Sequence, residues 1–356
     1  MNNQLDFDLL DPQENADGAD EVRQLLRSSD LEMDGDIQVF VVARDRSTLV
    51  ACAGLAGDVV KCVTIAPAYR GTSLARKLIN EVQHVATMKR GHNHLFLYTK
   101  PHNVPLFEGC GFYKLVSVLD SACLMENTPV GIRDYCEILR SFRHAGKRIG
   151  CAVINANPFT LGHLHLVRQA LKQCDWLHVF VVSEDASAIS YADRLDLVRA
   201  GLDGLERLTV HGGSRYLVSK VTFPCYFIKD TCVVEACSTA IDLLLFREFI
   251  APALGITHRF VGTEPFCPLT RKYNQDMHKW LESASGDGPA LRVVEIPRLE
   301  VAGRPVSASY VRQLLGEGDF EAMATIAPGT TVALLREKYA VRAGRGQRVA
   351  QLKSLR

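Results

Sequence analysis

The chain has 356 residues, 47% of them apolar, and its 41 lysines and arginines are matched by 40 aspartates and glutamates. That length suits about two domains of roughly 150 residues. The balanced charge excludes a global field aimed at nucleic acid or a membrane surface, so small molecules or a specific protein are the expected partners.

The opening MNNQLDFDLLDPQENADGAD carries acids where an export signal carries bases, and it has no apolar h-region. The most apolar stretch, LHVFVV at 177–182, falls well short of a membrane span of roughly 20 residues. A cytoplasmic protein with no membrane partner is expected. The 11 cysteines include no C-x-x-C pair and read as free thiols of a reducing compartment. His92, His94, His102 and Cys110 match no standard spacing, so no metal-ligating set is expected.

In chain order, strand character appears at 37–43, 48–53, 58–65 and 94–99, with helical patterns at 19–28 and 72–89. In the second helix Leu74, Leu78, Val82 and Val85 recur at three- and four-residue steps, which sets one face on a sheet. Residues 1–127 thus form a mixed α/β domain. The segment 128–148, opening on Pro129 and Gly131 and closing on basic residues, reads as the connection.

From 149 the rhythm is regular: strands at 149–154, 176–183, 207–211, 258–262 and 291–296. They alternate with helices at 162–173, 191–202, 238–250 and 271–282 and from 308 and 331. Repeating βα units predict a Rossmann-like doubly wound parallel sheet over 149–340, whose ligand sits beyond the carboxyl ends of the strands. Residues 341–356 form a basic, Gly-containing tail that reads as solvated.

The strongest chemical signal is Asn155-Ala156-Asn157-Pro158-Phe159-Thr160-Leu161-Gly162-His163, set between a strand and an amphipathic helix. A helix start exposes unpaired N–H groups and partial positive charge, Gly162 permits close backbone approach, and Thr160 and His163 add side-chain donors. His165 points about 200 degrees away round the helix and reads as packing or rim. The second signal, Val306-Ser307-Ala308-Ser309-Tyr310-Val311-Arg312, offers a serine N-cap and an arginine three residues beyond Ser309. Together the two helix starts suit a triphosphate.

Weaker candidates lie between them. Lys220 and Lys229 are possible phosphate contacts. Glu264 follows a strand at the ligand-bearing edge and suits a ribose, an adenine amino group or a structural cap. Arg194 and Arg199 face either the site or solvent. In the first domain Arg70-Gly71-Thr72-Ser73 joins a strand to the long helix.

These stretches carry resemblances. Thr160-Leu161-Gly162-His163 resembles the T/H-x-G-H signature of the nucleotidylyltransferase superfamily, and Ser307 to Arg312 its I-S-x-S-x-x-R signature, with Val306 in place of Ile. Arg70 to Ala75 resembles the pyrophosphate loop of GCN5-related acetyltransferases, with Ser73 where the second glycine is usual, and Asn103 to Tyr113 that family's fourth motif. The pairing resembles the citrate lyase ligase family over nearly the whole chain, through KCVTIAPAYRG, LYTKPHNVPLFEGCGF, IGCAVINANPFTLGH, FPCYFIKD, HRFVGTEPFC and VSASYVRQLL.

The resemblance implies an ATP-dependent, adenylate-forming acid–thiol ligase acting with Mg²⁺ on acetate. Its partner would be the acyl carrier subunit of citrate lyase, bearing a dephospho-CoA-derived prosthetic group. His163, Thr160, Arg312 and Ser309 would be catalytic. Asn155, Asn157, Phe159, Gly162, Glu264, Ser307 and Lys229, with Arg70, Gly71 and Ser73 in the first domain, would bind the nucleotide and the CoA-like group. Two rivals remain at this point: an adenylyltransferase making a dinucleotide or dephospho-CoA, and a regulatory protein sensing CoA derivatives.

Overall fold

The computed structural model describes residues 5–118, 121–183, 188–219, 221–222, 235–283 and 288–340. The chain divides into two compact units, Met1–Tyr135 and Cys136–Arg356. The division falls inside helix α4 (Gly131–Arg140), within the segment read as the connection.

The first unit is a seven-stranded sheet in the order β1-β2-β3-β4-β5-β7-β6. Its strands are β1 (Asp6–Leu10), β2 (Val39–Asp45), β3 (Thr48–Ala56), β4 (Val59–Ile65), β5 (Phe96–Thr99), β6 (Tyr113–Val118) and β7 (Ala122–Glu126). Neighbours are antiparallel except β4 and β5, which run parallel and pair only at Val59–Phe96 and Val60–Leu97. Helix α2 (Leu74–Arg90) buries Leu74, Leu78, Val82 and Val85 against this sheet, the face its periodicity predicts. Strands β1, β6 and β7 were absent from the sequence reading. β1, DFDLL, leaves three of five residues exposed as an edge strand and gives little hydrophobic signal.

The second unit is a parallel sheet in the order β10-β9-β8-β11-β12. Its strands are β8 (Ile149–Ile154), β9 (Trp176–Val181), β10 (Leu208–His211), β11 (His258–Gly262) and β12 (Arg292–Ile296). The chain winds outward from β8 through α5 (Leu161–Leu171) and α6 (Tyr191–Leu202). It then returns to lay β11 on the other side of β8. The switch point therefore lies between β8 and β11, and ligands of such sheets bind there.

One face of the sheet carries Ile154, Leu177, Val179, Val181 and Phe260 into a core shared with α5 and α6. The other is covered in part by α7 (Glu235–Leu245), which runs on through a π segment, Phe246–Ile250, into the turn Ala251–Leu254. On this face Arg259 of β11 lies over the ring of Phe246. Helix α8 (Pro268–Leu281) joins β11 to β12. A two-stranded hairpin then leads into α9 (Ala308–Glu317).

Candidate active site

The β8–α5 turn is built as a capped helix start. Thr160 is the N-cap, and a capping box joins it to His163: the Thr160 amide donates to His163 Nδ1 (3.0 Å) and the His163 amide to Thr160 Oγ1 (3.4 Å). A backbone N–H only donates, so Nδ1 is the unprotonated nitrogen and Nε2 carries the proton. Burial, reinforced by the nearby Arg298 charge, pushes the His163 pKa down to about 4. His163 thus presents a neutral Nε2–H, which has no protein partner among the described residues. The Leu161 amide donates to Ile326 O (3.0 Å), whereas the Gly162 amide has no protein acceptor among the described residues.

The second helix start lies against the first. A Cβ added to Gly162 would lie 3.3 Å from Val306 O, tighter than an ordinary contact, so the two turns lie close together and glycine eases their approach. Ser307 caps α9 by accepting from the Tyr310 amide (3.2 Å). Arg312, one turn in, donates to Asn157 O (2.5 Å) and to Ser309 Oγ (3.1 Å), tying α9 to the β8–α5 turn. Asn157 Oδ1 is buried with no partner among the described residues. At the end of β11, a Cβ on Gly262 would meet nothing within 4 Å, so the space over the switch-point strand is open.

Two arginines outside the motifs organise this region. Arg194, fully buried on α6, donates from Nη1 to Asn155 O (2.8 Å), Asn155 Oδ1 (2.9 Å) and Val182 O (2.8 Å), and from Nε to Ile189 O (3.3 Å). It locks the ends of β8 and β9 together and does not face solvent. Arg298, just beyond β12, donates from Nε to Thr263 O (2.7 Å) and pairs with Glu264. Sequence reasoning passed over Arg298. Its signal was positional: a cation directly after a strand at the ligand-bearing edge.

Several sequence assignments change. Phe159, expected to touch nucleotide, is fully buried, with its ring packed on Gly201 and stacked at 5.6 Å on His163. As N′ residue with Leu164 at N4 in the same core, it staples the helix start and supports His163 from beneath. Glu264 accepts from the amides of Phe266 (2.9 Å) and Cys267 (3.0 Å) at the start of α8 and binds Arg298 with its other oxygen, so its carboxylate serves as a cap and an ion-pair partner. Asn155 Oδ1 is held by Arg194. Ser307 Oγ is engaged in capping. His165 lies on the outer face of α5, along a groove of about 550 Å³ that it shares with Arg168 and Lys172. Lys220 and Lys229 lie outside the described residues.

In the first unit, Gly71 adopts φ +74 and Ser73 stands at the N-cap of α2 without a side-chain cap bond. Arg70 folds back on its own unit, donating to Ile65 O (2.9 Å) and Ser29 Oγ (3.1 Å). No group of three or more His, Cys, Asp or Glu among the described residues is arranged to hold a metal ion. Among the described residues no helix is long and apolar enough to cross a membrane.

Comparison with known proteins agrees with this architecture. Residues 149–335 match the family profile of the citrate lyase ligase C-terminal domain, and residues 36–114 that of an acetyltransferase (GNAT) domain. The chain is 49% identical over 316 residues to the [citrate [pro-3S]-lyase] ligase of Escherichia coli K12, covering 89% of this chain and 90% of that one. It is 48% identical to the protein of the same name from Klebsiella pneumoniae, covering 89% and 92%. The Haemophilus influenzae protein is 44% identical, covering 89% and 94%. With a profile match over more than half its length and relatives this similar across nearly all of it, the chain belongs to the citrate lyase ligase family and is an enzyme of the ligase class.

Proposed function

We propose that the enzyme uses ATP to activate acetate as acetyl adenylate. It then passes the acetyl group to the thiol of the dephospho-CoA-derived group on the acyl carrier subunit of citrate lyase, releasing AMP and pyrophosphate. The observation that supports this reading is the apposition of two helix starts at the switch point of one parallel sheet. There the Gly162 amide, His163 Nε2–H and Arg312 stand on adjoining turns.

Acetate is ionised at neutral pH, so its attack on the α-phosphate needs no general base. An acetate oxygen forms a bond to the α-phosphorus while the bond to pyrophosphate breaks, and its electron pair leaves with pyrophosphate. Such a step needs alignment and donors for the charge gathering on the departing group. Helix-start amides, His163 and Arg312 supply these without proton transfer. A neutral His163 fits the task, because it donates through Nε2–H and does not titrate near neutrality. Mg²⁺ would be held through the phosphates of the nucleotide, where it would offset their charge.

For the second step, the acetyltransferase-like unit with its Gly71–Ser73 turn is the proposed holder of the prosthetic arm. The sulfur attacks the acetyl carbon, its proton leaves to solvent, and the carbon–oxygen bond to AMP breaks with the electrons going to AMP. The decisive assay is exchange of labelled pyrophosphate into ATP. Exchange that requires acetate is the expected result. Exchange driven only by phosphopantetheine or a mononucleotide would identify an adenylyltransferase instead, and none at all a regulatory protein.

A further inference from the structure

We propose that Arg298 holds the carboxylate of the co-substrate beside the α-phosphate, so that it acts as the acetate-binding residue of the enzyme. The proposal rests on the adenylate-forming reading above and assigns the one substrate for which that reading names no residue.

Arg298 is a fixed guanidinium with an open edge. Its Nε is held by Thr263 O at 2.7 Å, one Nη by Glu264, and its Cζ lies 5.8 Å from the Phe266 ring centroid. Its side chain is only 25% exposed, and Nη1 has no protein acceptor among the described residues. A guanidinium braced this way loses little freedom on binding, and its free donors match one oxygen of a carboxylate.

Position supports the same assignment. The backbone around Arg298 follows β12, and its side chain reaches the turn after β11, as the bond to Thr263 O requires. It therefore comes to the switch point from the β11 side, whereas the phosphate-suited donors stand on the β8–α5 turn and α9. Its charge also helps hold the His163 pKa down, in keeping with that position.

Charge separates the two roles. Arg298 is paired with Glu264, a largely buried carboxylate, so the pair adds donors with no net charge. A triphosphate laid against Glu264 would be repelled, whereas the bonds of Arg312 to Asn157 O and Ser309 Oγ are to neutral groups. A monoanion suits the neutral pair. With one acetate oxygen held by Nη1, the other remains free to attack phosphorus. The exposed ring of Phe266 offers an apolar surface beside it for the methyl group.

The test is acetate-dependent pyrophosphate–ATP exchange with the full chain, comparing Arg298→Ala and Arg298→Lys with the native protein. Losing a charge-assisted contact should raise the acetate KM of Arg298→Ala about 10- to 100-fold. The ATP KM should stay within about twofold, and Arg298→Lys should recover part of the acetate affinity. A rise in ATP KM equal to or greater than that for acetate would make Arg298 a phosphate ligand and overturn the proposal, as would an unchanged acetate KM. Should Arg298→Ala fail to fold, judged by loss of the melting transition, the acetate-to-ATP KM ratio of Arg298→Lys decides in the same way. Native protein that binds ATP yet shows no acetate-dependent exchange would instead sink the parent reading, a result distinct from either variant outcome.

Discussion

Each unit places a turn between the end of a strand and a helix, Arg70 to Ser73 before α2 and Asn155 to Thr160 before α5, with Gly71 inside the first and Gly162 in the first turn of the helix after the second. The two are held differently. The turn before α2 is held mostly by its own neighbourhood, Thr72 Oγ1 donating to Tyr69 O and Arg70 to Ile65 O, with a single distant tie from Arg70 to Ser29. The turn before α5 is gripped by segments far away in sequence, through Arg194, Arg312, Ile326 and Thr331. A helix start of either kind can attract an anion, but only the second gathers donors from several elements at one place. That contrast is the physical reason to put the ATP chemistry on α5 and to give α2 the gentler task of holding an arm.

The contrast breaks most directly at His163. Replacing His163 with Ala should lower acetate-dependent exchange about a hundred- to a thousandfold, some 3–4 kcal/mol of barrier. Because its pKa is held down to about 4, the ring stays neutral from pH 5 upward, so its ionisation puts no acid limb near 6.5 into the exchange profile. His163→Gln, which keeps a neutral donor, should retain part of the rate. An acid limb near 6.5 in the native enzyme that vanished in His163→Gln would refute the neutral-donor role.

Next in size is Arg194. Its guanidinium satisfies buried acceptors at Asn155, Val182 and Ile189, and Arg194→Met would leave them without it. A loss of about 3 kcal/mol in urea unfolding is expected, together with lost exchange as the Asn155–Thr160 turn relaxes. An unchanged unfolding midpoint would show that the turn is held without Arg194.

These two residues also mark what the sequence could and could not disclose. Gly162 and the start of α9 are decided within four residues and were legible, with Ser307 and Ser309 both open as the cap; the capping box is as local, yet Thr160 and His163 were both read as donors to phosphate. Helix Tyr191–Leu202 was read to the residue for the same reason. The task of Arg194 depends on where β8 and β9 end relative to α6, which no window along the chain contains. Arg298 stands in a short turn whose importance appears only once β11 and β12 are neighbours. Phe159 was misjudged by adjacency, since an apolar residue just before an N-cap is more simply a staple into the core.

The buried histidine pair of the second unit gives a smaller, pH-dependent test. His178 Nδ1 and His211 Nε2 are 2.9 Å apart, and burial pushes the two pKa values down to about 3 and about 4. The unfolded chain takes up these protons near pH 6.5 while the folded chain refuses them, so stability is full above that pH and falls as pH drops toward 4. By pH 5 the loss should reach up to about 2 kcal/mol per histidine. Urea midpoints at pH 7.5 and pH 5 measure it, and His211→Phe should shrink the difference. Equal midpoints at both pH values in the native protein would contradict the neutral buried pair.

The smallest expected effect sharpens the comparison between the two turns. Gly71 has φ +74, and a Cβ there would meet nothing within 4 Å, so Gly71→Val introduces backbone strain with no steric clash. Strain of about 1–2 kcal/mol should shift the turn before α2 without unfolding the unit. If α2 guides the prosthetic arm and α5 the nucleotide, carrier acetylation should fall several-fold while acetate-dependent exchange stays within about twofold. A parallel fall in both rates would mean that the first unit also supports adenylate formation. The two turns would then serve one reaction step, and the division of labour drawn from how they are held would be wrong.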